Sequence, residues 1–120
     1  MSFKTLLAYQ KGFDLAMEIF HLAKSFPKIE MFGLTSQIIR SIRSVCSNIT
    51  EGYRKRQYEK HFKSKMSDAD SENSETQLWL EFALACDYIE KNKYNELMNK
   101  SQEVGKLINY MINNPGKFGL

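Results

Sequence analysis

Large apolar side chains recur along this chain at intervals of three and four, in four segments, and nowhere do they alternate at every second position. The first spacing places them on one face of an α-helix, whereas alternation would mark a strand. The first segment, about 9–25, carries Leu15, Ile19, Leu22 and Phe26, with Phe13, Ala16, Phe20 and Ala23 widening the stripe. Pro27 and Gly33 bracket its exit loop. The second, about 35–55, has Thr35 or Ser36 as candidate N-caps. With Arg40 set at 0° and about 100° per residue, Leu34, Ile38, Ile42, Val45, Cys46, Ile49 and Tyr53 fall on one arc, and Arg43, Ser47, Glu51 and Arg54 on the opposite one. Gly52 interrupts helix propensity and marks a bend or a close backbone approach.

The third segment, about 58–87, is the longest. Phe62 and Met66 begin it, and Leu78, Trp79, Phe82, Ala85 and Cys86 end it. Between them Ser67 to Gln77 holds no large hydrophobe. The fourth, about 93–113, has Asn92 as a candidate cap and an alternating three-four stripe of Tyr94, Leu97, Ser101, Val104, Ile108 and Met111. Asn114-Pro115-Gly116 ends it, leaving 114–120 as a loose tail. Short connections make successive helices antiparallel. The expected fold is therefore all-α, an up-down-up-down four-helix bundle forming one domain over 1–120.

Composition changes this picture little. Two prolines and six glycines among 120 residues agree with long helices. The 26% charged and 42% hydrophobic residues exclude a collagen-like, disordered or disulfide-stapled chain. No apolar run approaches the ~20 residues of a membrane span, and the start has no signal-peptide pattern, so the expected location is cytoplasmic. Cys46 and Cys86 lie far apart on apolar stripes and read as buried free thiols.

Charge placement is more informative. The net charge of +3 conceals a segment, 40–66, with eight basic and two acidic residues, followed by 67–103 with three basic and nine acidic. The basic residues are Arg40, Arg43, Arg54, Lys55, Arg56, Lys60, Lys63 and Lys65. They form a candidate platform for RNA or DNA phosphates, with Tyr53, Tyr58 and His61 interleaved for stacking on unpaired bases. A solvated basic face, paired with the acidic segment of the same or a neighbouring copy, is the competing reading.

Candidate chemistry is sparse. Glu18-Ile19-Phe20-His21 matches one ExxH element of di-iron bundles, but no second follows, so no metal or other cofactor is expected. Asp68, Asp70, Glu72 and Glu75 read as a solvated acidic face, with no nucleophile or orienting histidine nearby. Asn48, Glu51, Glu75 and Gln77 are candidates for a buried polar network fixing helix register. No constellation supports catalysis.

Four phrases carry a family resemblance: Leu22-Ala23-Lys24-Ser25-Phe26-Pro27, Phe32-Gly33-Leu34-Thr35-Ser36-Gln37, Ser47-Asn48-Ile49-Thr50-Glu51-Gly52-Tyr53 and Glu75-Thr76-Gln77-Leu78-Trp79-Leu80. Over roughly residues 3–112 the chain resembles the bacterial four-helix-bundle family encoded in intervening sequences of 23S rRNA genes. Accessory variability proteins of diversity-generating retroelements are related to that family. The resemblance implies an antiparallel bundle, assembly as a ring-shaped homopentamer and no enzymatic activity. In the retroelement relatives a basic ring surface serves nucleic acid and a reverse transcriptase. Two departures stand out. Thr50 occupies a position where alanine is usual, and Asp68-Ala69-Asp70 replaces a small-residue stretch preceded by arginine. The functional expectation is a non-catalytic homo-oligomer binding nucleic acid through its basic face, or else a scaffold ring binding another protein. No membrane association is expected.

Overall fold

The structure is a computed structural model describing residues 2–119. Four α-helices follow one another: α1 (Leu7–Ala23), α2 (Leu34–Arg54), α3 (Glu59–Ala85) and α4 (Lys91–Asn113). Short 3-10 turns occupy Phe3–Thr5, Lys28–Glu30 and Pro115–Lys117. Among the described residues there is no strand. The helices match the expected segments to within two residues at each end. They pack as a four-sided bundle in which α2–α3 is the most extensive seam and α1–α4 the least. Antiparallel order is visible in the cross-helix pairs. Along α2–α3, Arg40 meets Glu72 whereas Glu51 meets Lys65. Along α3–α4, Asp70 meets Asn109 whereas Asn73 meets Ser101. The molecule measures 46 × 25 × 20 Å.

The apolar arc of α2 is buried as its periodicity predicts: Leu34, Ile38, Ile42, Val45, Ile49 and Tyr53 face the core. Cys46 is only half-buried. On α1 the inward residues are Ala8, Gly12, Leu15, Ala16, Ile19 and Ala23. Phe13 instead points outward, 48% exposed. Small side chains face α2 because the helices approach closely there: a Cβ on Gly12 would lie 3.5 Å from Cys46 Sγ.

The expectation for α3 needs correction. Its buried residues are Phe62, Met66, Ala69, Asn73, Thr76, Leu80 and Ala83, an unbroken four-three stripe. Leu78 and Phe82, expected in the core, are 43% and 50% exposed, and Cys86 is exposed. The register set by Phe62 and Met66 continues through Ala69, Asn73 and Thr76, so it reaches Leu80 and Ala83 rather than their bulkier neighbours. The middle of the helix therefore brings polar groups inward, and these are satisfied. Asn73 Nδ2 donates to the Ser101 carbonyl at 2.9 Å, and Ser101 Oγ donates to Asn73 Oδ1 at 2.9 Å. Gln77 Nε2 donates to the same hydroxyl at 2.9 Å. On the other side, the Ser41 and Thr76 hydroxyls lie 2.8 Å apart.

The helix ends depart from the expected caps. Glu30 serves α2, its Oε1 accepting from the Leu34 N–H at 3.1 Å, and neither Thr35 nor Ser36 caps it. Glu90, not Asn92, occupies the N-cap position of α4. α3 closes with Asp87 in the left-handed region, φ 62°, and the Tyr88 N–H bonded back to the Ala83 carbonyl. This six-to-one bond is a Schellman closure. The expected loose tail is also corrected: Pro115–Lys117 forms a turn, Phe118 packs against the core, and Lys117 Nζ donates to the Tyr110 hydroxyl at 2.7 Å. Leu120 lies outside the described residues.

Glu30 joins the two loops at this end of the bundle, because its Oε2 also accepts from the Tyr88 hydroxyl at 2.8 Å. That bond, reinforced by partial desolvation and the carboxylate charge, pushes the Tyr88 phenol up to about 12. A folded-state value above the unfolded one means the contribution is complete below about pH 10 and lost as pH rises through about 12. An absorbance titration of tyrosinate should show one late-ionising tyrosine, and Glu30→Gln should bring it back toward the others. For the polar belt, Asn73→Ala removes the acceptor of the Ser101 hydroxyl and a donor to the Ser101 carbonyl in the core. It should cost about 1–3 kcal/mol in urea unfolding; an unchanged midpoint would show that the belt adds nothing.

Candidate nucleic-acid interface

The structure divides the eight basic candidates. Arg40 is neutralised across the α2–α3 seam: its guanidinium lies 3.0 Å from Glu72 Oε2 and 3.5 Å from Glu75 Oε2. Burial works against ionisation of Glu72, but hydrogen bonds linking it to Glu75, Ser44 and Arg40 outweigh this and hold its carboxyl below the usual range. Glu75 is held above that range by its hydrogen bond to Glu72, by desolvation and by that neighbour's charge. Lys65 Nζ lies 2.9 Å from Glu51, and this bond raises the amine above its ordinary value. Lys63 lies 3.9 Å from Glu59 on the same helix. Arg43 stacks over the Phe20 ring at 5.5 Å.

Arg54, Lys55, Arg56 and Lys60 remain. Among the described residues none has a carboxylate partner. They occupy the end of α2, the junction and the start of α3. Arg40 sits about 21 Å along α2 from Arg54 at ~1.5 Å per residue, so the basic face is two separate regions and not one platform. Tyr53 is 5% exposed and covered by the Arg56 guanidinium at 4.3 Å, so it is not free to stack on a base. Tyr58 is 56% exposed and meets His61 edge to face, with ring centroids 6.0 Å apart.

The four residues expected to form one polar network are not brought together. Asn48 bonds within its own helix to the Ser44 carbonyl and hydroxyl. Glu51 holds Lys65, and Glu75 meets Arg40. Only Gln77 joins the buried belt, through Ser101. Helix-wheel position alone does not separate Asn48 from Asn73, because the α3 stripe is set from its distant apolar end.

Sequence reasoning missed two contributors to the basic end. Phe3 and its turn close one side of the junction, and Lys117 with Phe118 close the other. Their place against Tyr53 and Arg56 is a tertiary contact between residues some fifty positions or more apart, which no local pattern encodes. Elsewhere Glu18, the acid of the ExxH element, lies 2.6 Å from Lys100 and 3.5 Å from Lys93, binding α1 to α4. Cys46 is pushed up to about 11 by burial, which disfavours the nucleophilic thiolate.

This arrangement defines a small helical-bundle protein whose distinguishing surface is a cationic end. Residues 4–110 match the family described as 23S rRNA-intervening sequence protein, and the chain belongs to that family. A crystal structure from Bacteroides thetaiotaomicron, described as a protein of unknown function from the S23 ribosomal protein family, superposes with a TM-score of 0.81 at 30% identity. The match covers 89% of this chain and 96% of that one. No curated protein matches. No described helix is long and apolar enough to cross a membrane.

Gly52 sets how the junction is held. A Cβ there would lie 2.5 Å from Met66 Cε and 3.1 Å from Lys65 Cβ, so α3 crosses α2 in contact with the glycine backbone. Gly52→Ala gains helix propensity but overpacks a buried contact. It should destabilise the protein by about 1–3 kcal/mol in chemical denaturation; a stabilised variant would mean that Met66 moves aside freely.

Proposed function

We propose that this protein is a non-catalytic binding module that engages RNA or DNA through phosphate contacts at the α2–α3 junction, as copies in a ring-like homo-oligomer, a pentamer. One observation carries the reading. Among the described residues the bundle pairs Arg40, Lys63 and Lys65 internally, yet leaves Arg54, Lys55, Arg56 and Lys60 without carboxylate partners at one end. Such clustering costs mutual repulsion in the free protein, and a polyanion relieves it while releasing its own counterions. Repetition of the patch in an oligomer would multiply a weak single-site attraction.

Exposed apolar residues supply surface for assembly. Ile29 and Phe32, in the α1–α2 loop, are 86% and 91% exposed, and Leu78 and Phe82 project from α3. The same surface supports a second reading, a scaffold ring that binds a protein and no nucleic acid.

Anisotropy titrations of labelled RNA and DNA at several salt concentrations separate the two. Affinity should fall linearly on logarithmic axes, and combined Arg54→Gln, Lys55→Gln and Lys60→Gln should reduce the slope by about 2–3. Arg40→Gln should change it by less than one contact. Absence of binding at low salt would leave the scaffold reading. Native mass spectrometry of the same preparation reads the assembly, and a monomer at micromolar concentration would overturn the ring.

A further inference from the structure

Two cavities border Arg54, Lys55 and Arg56, three of the four cations without a carboxylate partner among the described residues. The first, about 460 Å³, lies between the N-terminal turn and the end of α2, with Phe3, Thr50 and Tyr53 as walls and Arg54, Lys55 and Arg56 at its edge. The second, about 510 Å³, lies between the start of α1 and the C-terminal turn, with Leu6, Leu7 and Phe118 as walls and Arg56 and Lys117 as cations. Both border Tyr53 and Arg56, so they stand side by side, separated by one residue pair. That pair is fixed: Arg56 donates to the Tyr53 carbonyl at 3.0 Å while its guanidinium covers the Tyr53 ring. Among the described residues Glu51 is the one carboxylate bordering the first cavity and is already engaged by Lys65, and none borders the second.

Apolar walls with a cationic edge suit a ligand that is itself a flat apolar-faced group joined to an anion. Each cavity falls in the ~300–1,000 Å³ range of small-ligand sites. Base faces stack on aromatic side chains, and the backbone follows the positive charge. A duplex does not offer this combination, because its bases are stacked inside and only phosphates reach a protein surface of this shape.

We propose that the two cavities are adjacent subsites for an unpaired stretch of RNA or DNA. One base lies against Phe3, the next against Phe118, and Arg54, Lys55, Arg56 and Lys117 hold the phosphates. This rests on the nucleic-acid reading above and narrows it from any polyanion to single-stranded segments.

The test compares a labelled single-stranded oligonucleotide with a blunt duplex of the same sequence at one low salt concentration. The single strand should bind about 10-fold tighter. Phe3→Ala should remove most of that margin, bringing the single strand down toward the duplex. Ultraviolet crosslinking to the wild-type protein supplies a readout independent of the variant's folding, and the crosslinked peptides should contain Phe3 or Phe118. Equal affinity for the two forms, or crosslinks confined to other peptides, would overturn the subsites and leave phosphate binding standing. Loss of all binding would overturn both.

Discussion

The polar belt at the centre of α3 is the constraint on which the bundle's geometry depends. Apolar side chains of similar size tolerate sliding along a helix, because one contact replaces another. Asn73, Ser101 and Gln77 do not, since each donor has a defined acceptor and displacement by one turn would strand it in the core. The Ser41–Thr76 pair imposes the same condition on the opposite seam. Together they fix α3 against both α2 and α4. Everything that relies on that register follows, including the meeting of Arg40 with Glu72 and the contact of Gly52 with Met66.

With register fixed, the segregated charge of the sequence has two fates. Some acidic residues of the second half find cations across a seam, as Glu72 and Glu75 do with Arg40 and Glu103 does with Lys11, while Glu96 pairs with Lys93 and Lys100 on its own helix. The hydrogen bond to Lys93 and its charge lower Glu96, and that to Glu18 raises Lys100, as expected of mutual stabilisation. Such exposed pairs contribute little stability individually. Their larger effect is subtraction: they neutralise Arg40, Lys63 and Lys65 and leave Arg54, Lys55, Arg56 and Lys60 clustered at the junction end without carboxylate partners among the described residues.

Helices, their order and the apolar arc of α2 were legible because they depend on local periodicity. α3 was harder to read, since a stripe made of Ala69, Asn73 and Thr76 carries almost no hydrophobic signal, and Leu78 and Phe82 beside it carry a strong one pointing the wrong way. The candidate site was half legible. Clustering of Arg54, Lys55, Arg56 and Lys60 is plain in one dimension, but the neutralisation of Arg40 depends on a residue 32 positions away. The involvement of Phe3, Lys117 and Phe118 depends on where both ends of the chain return.

The two ends of the molecule are unequal in a practical way. Glu30 clasps the loops at one end, while the α2–α3 junction shares the other with both termini. Ser2, Phe3 and Thr5 from one end of the described chain, and Lys117 to Gly119 from the other, border the cationic cavities, so bulk added beside them would crowd that end. A label attached in place of the exposed side chain of Ile29 or Phe32 sits at the far end of a molecule 46 Å long, spares the Glu30 clasp and leaves the junction open.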